Sequence, residues 1–146
     1  MINSIIEIAK EAGEAILEIY KQDFSVELKS DNSPLTIADK KSNDIIVAAL
    51  KNIDASIPII SEENKLLEYE IRKSWTKCWI VDPLDGTKEF IKKNGEFTVN
   101  IALVENGIPI LGVVHVPAQQ IIYYAEIGKG SYKLENNITS ILKIRP

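Results

Sequence analysis

The segment "CWIVDPLDGTKEF" at 78–90 ends an apolar run on Asp82, passes Pro83 and Leu84, and presents a second acid, Asp85, directly before Gly86 and Thr87. Upstream, "IPIISEEN" at 57–64 repeats the design with an apolar run that ends on Glu62 and Glu63. If these runs are neighbouring strands, Glu62, Asp82 and Asp85 converge at one margin of a sheet. Carboxylates gathered that closely repel one another and hold protons unless a cation neutralises them. Oxygen donors without His or Cys suit Mg2+, which takes octahedral oxygen coordination and keeps waters and substrate phosphate. The Leu84 carbonyl, in a turn stiffened by Pro83, is a further oxygen donor.

Gly86 and Thr87 lead into "TKEFIKKNG", expected to be a short helix closed by Asn94 and Gly95. N–H groups at its start would face an anion, so a phosphate could sit between these amides and the metal. Each acid alone also has an ordinary reading, because Asp-Gly is a common turn pair and acids cap helices and flank strands. The hexapeptide "DPLDGT" behind a strand is far more specific.

Elements must hold these residues in place. Ile2, Ile5, Ile6, Ala9, Ala12, Ile16, Leu17 and Tyr20 recur at helical steps and predict a first amphipathic helix. "DFSVELKSDNSPLT" reads as a loop with a short strand at Ser25–Lys29. Thr36 and Asp39 resemble a capping box at the start of a second helix running to about Asn52. From Phe97 the alternation predicts a hairpin through "ENG" into "IPILGVVHVP", extended by "IIYYAE" and "GSYKL" across "IGKG". "SILKIRP" looks like a strand beginning without a partner. Helices early and a meander late predict an α+β fold, two helices packed on a largely antiparallel sheet.

A chain of 146 residues, 45% hydrophobic and 26% charged, suits one domain with a sizeable core. With 17 Lys and Arg against 21 Asp and Glu, the net charge of −4 is the wrong sign for gripping nucleic acid. Cys78, the single cysteine, excludes an intramolecular disulfide or a Cys-rich zinc site and is expected to be a buried thiol in a reducing, cytoplasmic compartment. No stretch approaches the roughly 18 apolar residues of a membrane span, and the start lacks the apolar core of a secretory signal. His115, within a strand of alternating apolar residues, is expected to be structural.

The chain resembles the inositol monophosphatase superfamily of Mg2+-dependent, lithium-sensitive phosphatases. The matching pieces are "DNSPLTIAD" at 31–39, "PIISEEN" at 58–64, "WIVDPLDGTKEFIKKNGEFTVNIAL" at 79–103 and "GVVHVPA" at 112–118. The continuation after "DGT", with Lys88 and Glu89, is similar to the CysQ-type 3'(2'),5'-bisphosphate nucleotidase branch. The resemblance implies removal of the 3'-phosphate of adenosine 3',5'-bisphosphate to give AMP, in sulfate assimilation and nucleotide recycling. It implies Mg2+ held by Glu62, Asp82, the Leu84 carbonyl and Asp85, and substrate phosphate contacted by Glu62, Leu84, Asp85, Gly86 and Thr87. Thr87 would orient the attacking water with Glu62, and Asp39 with Thr36 would form a supporting pair.

The family's usual second half carries a "WD" motif that completes the second metal site and much of the nucleoside pocket. In this sequence Trp75 and Trp79 are followed by Thr76 and Ile80. The chain therefore looks like the first half of the family's layered α/β sandwich, a metal- and phosphate-binding domain over 1–146. Self-association, or pairing with a separate second half, is expected to cover its bare surface. The implied location is cytoplasmic, or peripheral on the cytoplasmic face of the inner membrane as in related bacterial enzymes. Two other readings stand beside the nucleotidase: an inositol monophosphatase, and a non-catalytic homologue that binds metal or nucleotide. A haloacid-dehalogenase-type "DxDGT" is disfavoured, because two residues separate Asp82 from Asp85 where that motif has one.

Overall fold

The structure is a computed structural model that describes residues 1–22 and 33–145. Helix α1 spans Ile2–Tyr20 and buries Ile5, Ile6, Ala9, Ala12 and Ile16 of the predicted stripe together with Ile8, Gly13 and Ile19, while the predicted Ile2, Leu17 and Tyr20 are partly buried. Helix α2 spans Pro34–Ile53. It begins earlier than the Thr36 and Asp39 pattern suggests: Ser33 is the N-cap, Pro34 occupies the first turn, and Ser33 Oγ accepts a bond from the Thr36 N–H at 3.1 Å. Asp39 consequently lies inside the helix. The strand expected at Ser25–Lys29 falls outside the described residues.

Among the described residues, seven strands form one sheet in sequence order: β1 Ile59–Ser61, β2 Lys77–Asp85, β3 Thr98–Glu105, β4 Ile108–Val116, β5 Ile121–Glu126, β6 Gly130–Glu135 and β7 Ile138–Ile141. β1 runs parallel to β2 and every later pair is antiparallel. Two short helices, α3 Tyr69–Arg72 and α4 Thr87–Lys92, and a 3-10 turn at Pro117–Gln119 are the remaining elements of the described residues. The α+β architecture agrees with the sequence pattern. The tail differs: of the strand expected from Ser140 onward only Ser140 and Ile141 are extended, at the end of β7, where they pair with Lys133 and Tyr132 of β6, and 142–145 form no strand. Asn106 and Gly107, with φ of 51° and 78°, give the "ENG" turn the two left-handed residues that match hairpin twist.

The helices cover one face. Trp79, Val81, Val99, Ile101, Leu103, Leu111, Val113 and Ile122 point inward and are all buried, packing with Ile5, Ile16, Ile46 and Leu50 of the helices. Among the described residues nothing packs over the opposite face, where Ile80 is 46% and Val114 39% exposed. His115 is buried and its Nδ1 pairs with the Ile121 carbonyl at 3.2 Å, a structural role. Burial holds its imidazole below the usual basicity. Cys78 is half-buried rather than fully enclosed, and desolvation raises its pKa, which suits an inert thiol. Among the described residues no helix is long and apolar enough to cross a membrane.

Candidate metal and phosphate site

β1 and β2 are adjacent and parallel, with Ser61 opposite Val81, so Glu62 and Asp82 leave the same edge of the sheet side by side. Between Asp82 and Asp85 the pairing with β3 shifts: Asp82 faces Asn100 and Asp85 faces Thr98, which puts one extra residue on β2. This is a β-bulge, and it corrects the expectation of a turn at Pro83. Residues three apart on a regular strand point to opposite faces. The extra residue reverses that alternation, leaving Leu84 buried in the core and turning Asp85 outward. Asp85 therefore shares the outer face with Asp82, and its Oδ2 accepts from Asn100 Nδ2 at 3.3 Å.

The Glu62 carboxylate lies within hydrogen-bonding reach of Asp82, whose pKa is pushed up to about 7 by burial first, then by Glu62, Asp85 and Asp39. Among the described residues, buried Asp82 Oδ1 has no hydrogen-bond partner. An anionic oxygen that is buried, unpartnered and surrounded by further acids is costly unless a cation meets it. All-oxygen donors at such a point fit a hard divalent ion such as Mg2+. The gathering is incomplete in one respect: among the described residues no three His, Cys, Asp or Glu side chains close on a common point. Glu62 and Asp82 form the pair, while Asp85 and Asp39 act on it electrostatically.

Gly86 takes φ of 90°, a left-handed conformation open to glycine, and starts α4, with Thr87 exposed at the first helical position. α4 ends in a Schellman motif in which Lys93, φ 55°, takes the left-handed position expected of Asn94 and Gly95, with the Asn94 N–H bonded to the Glu89 carbonyl. An aromatic cluster anchors this helix: Tyr20 of α1 stands 5.5 Å from Phe90 and 4.8 Å from Phe97, and the two phenylalanines are 5.4 Å apart. Asp39 is buried on α2. The Thr36 hydroxyl bonds Ser33 Oγ at 2.9 Å, so it is engaged at the helix cap.

Sequence reasoning missed Ser42, Asn43, Ser61, Asn64 and Asn100. Ser42 and Asn43 did leave a signal, as polar residues in register with the apolar stripe of α2. A cavity of about 450 Å3, lined by Asp54, Ile57, Trp75 and Lys77 among others, lies at the opposite end of β1 and β2, away from the acids. The acids lie on the open sheet margin, and their chemistry identifies them better than the size of a cavity does.

The Inositol monophosphatase family matches residues 1–144. The 3'(2'),5'-bisphosphate nucleotidase CysQ of Shigella flexneri is 44% identical over 147 residues, covering 99% of this chain and 59% of that protein. The crystal structure of CysQ from Bacteroides thetaiotaomicron superposes with a TM-score of 0.81 at 49% identity, covering 98% of this chain and 51% of that one. An inositol monophosphatase from Zymomonas mobilis superposes with a TM-score of 0.80 at 26% identity, covering 99% of this chain and 52% of that one. The chain thus spans little more than half the length of these relatives. With the family matched over residues 1–144 and the fold superposing on these relatives, the chain belongs to the inositol monophosphatase family.

Proposed function

We propose that this chain supplies the metal- and phosphate-binding part of a Mg2+-dependent phosphatase that removes the 3'-phosphate of adenosine 3',5'-bisphosphate to give AMP. The observation that carries the reading is the buried, unpartnered Asp82 oxygen beside Glu62. Similarity to relatives named as bisphosphate nucleotidases supports the substrate class. Glu62, Asp82, the Leu84 carbonyl and Asp85 are the residues that would hold Mg2+. The ion, when bound, would neutralise the clustered acids and supply the positive charge that phosphoryl transfer requires. Asp85, Gly86 and Thr87 bind and orient the scissile phosphate, with Gly86 letting the backbone approach. The Thr87 hydroxyl and Glu62 orient a water for in-line attack, and Asp39 reinforces the negative field around Asp82.

The relatives contain more chain than this one spans, and the bare sheet face supports a covering partner. Ile80, Ala102, Gly112, Ala125 and Ser131 stand in one row across five strands, a strip of mostly small side chains. We assign that strip to a second half, joined or separate, or to a second copy of this chain. A cytoplasmic setting agrees with the single thiol at Cys78.

Phosphate release from adenosine 3',5'-bisphosphate and from inositol 1-phosphate, measured with Mg2+ present, tests the reading. Release from the nucleotide that exceeds release from the inositol ester and is abolished in Asp82→Asn is the expected result. Release that Asp82→Asn leaves unchanged contradicts the role of Asp82, and preference for the inositol ester contradicts the substrate.

A further inference from the structure

Asp39, Ser42, Asn43 and Ile46 follow one another at helical steps on the face of α2 that meets the sheet, and are 2%, 0%, 5% and 0% exposed. Ser and Asn are poor helix formers, and burying them is costly unless their polar atoms are matched. Here they are matched by the two segments that carry the acids. Ser42 Oγ donates to the Pro83 carbonyl at 2.7 Å, inside the bulge between Asp82 and Asp85. Asn43 Oδ1 accepts from Ser61 Oγ at 2.6 Å, and Asn43 Nδ2 donates to Asn64 Oδ1 at 2.9 Å.

Ser61 and Asn64 bracket Glu62 and Glu63 in a turn closed by the Asn64 N–H on the Ser61 carbonyl at 3.1 Å. The ladder itself holds this end weakly. The last β1–β2 residue pair is Ser61 with Val81, and the Glu62 N–H reaches the Val81 carbonyl at a long 3.4 Å. Past that point, two adjacent residues of one helix, about 3.8 Å apart at Cα, hold the Glu62 turn and the Asp82–Asp85 bulge. A helix is stiffer than either segment, so it serves as a fixed rule between them.

We propose that Ser42 and Asn43 are positioning residues that set the separation of Glu62 from Asp82 and Asp85, and with it the geometry in which a divalent cation is taken. This rests on the assignment of those acids to the cation. Neither residue touches substrate in this account. Both act through the backbone and turn that they pin.

Two measurements on the full chain test it. In hydrogen exchange without metal, Asn43→Ala speeds exchange of amides 62–64 and Ser42→Ala that of 84–87, while β4 and β5 keep wild-type protection. In a calorimetric Mn2+ titration each variant weakens binding about tenfold or more, and Ser42→Thr, which keeps the hydroxyl, restores it. Wild-type exchange in both segments overturns the proposal, as does faster exchange spread evenly through the molecule. Local loosening with unchanged Mn2+ affinity reduces the pair to a structural role and overturns it as well. A wild-type chain that takes no Mn2+ overturns the cation assignment instead, and the exchange pattern still decides whether the helix pins the two segments.

Discussion

Asp82 sits where burial and the charges of Glu62, Asp85 and Asp39 all push in one direction, holding its proton up to about pH 7 in the folded chain. An unfolded aspartate releases that proton near pH 4. Between these values the folded state binds the extra proton, so stability is fully present below about pH 4 and is lost as pH rises through about 7. Thermal midpoints of the metal-free protein should therefore fall over this interval more steeply than those of Asp82→Asn, and Mg2+ should restore the wild type at high pH by replacing the proton. Equal slopes in the two proteins would contradict this assignment. Gly86 makes a second residue-scale prediction. A Cβ there would lie 3.2 Å from the Phe97 Cα and 3.1 Å from Glu89 Oε2, in a conformation costly for L residues. Gly86→Ala should cost about 1–3 kcal/mol in denaturant unfolding and weaken phosphate binding. The acids were legible because Glu62 and Asp82 close apolar segments and Asp85 stands directly before Gly86 and Thr87. Their shared outer face was not, because it depends on a one-residue bulge that period-two alternation hides.

At the scale of elements, helix spacing identified α1 and α2, and alternation identified the meander. Boundaries moved where local chemistry competed: Ser33 with Pro34 displaced the pattern at Thr36, and Lys93 took the helix end expected of Gly95. The packing between elements was less legible. α1 approaches β4 so closely that a Cβ at Gly13 would come within 2.6 Å of the His115 ring. Ala is the better helix former by about 1 kcal/mol, yet overpacking at a rigid buried ring costs about 1–3 kcal/mol. Gly13→Ala should therefore lower the thermal midpoint, and an unchanged or raised midpoint would show that the ring can yield. No periodicity announces such a contact, because a glycine within a helical stripe reads only as a weak position.

For the whole molecule, one face of the sheet is packed and the other is open. Trp79 and Val81 are buried while Ile80, between them, is 46% exposed, so alternation along β2 shows which face is bare but not what covers it. An apolar sheet surface left in water favours association. Sedimentation should show the isolated chain self-associating as concentration rises, and Ile80→Glu with Val114→Lys should reduce it. A monomer at all concentrations would argue against a second copy of this chain as the cover of this face. The family's fold was legible in the sequence because its motifs lie at strand ends that the pattern itself predicts. The completeness of the metal site was not, because in the structure Glu62 reaches Asp82 while Asp85, on the same face, raises the Asp82 pKa through its charge and accepts from Asn100 at its Oδ2.

Calorimetric titration of the chain with Mg2+, beside Asp82→Asn, tests the cation site most directly. Saturable binding to the wild type, with release of the proton held at Asp82 when binding is measured near pH 6, and loss of both in the variant, is the expected result. Identical heats in the two proteins, or no saturable binding to the wild type, would contradict it.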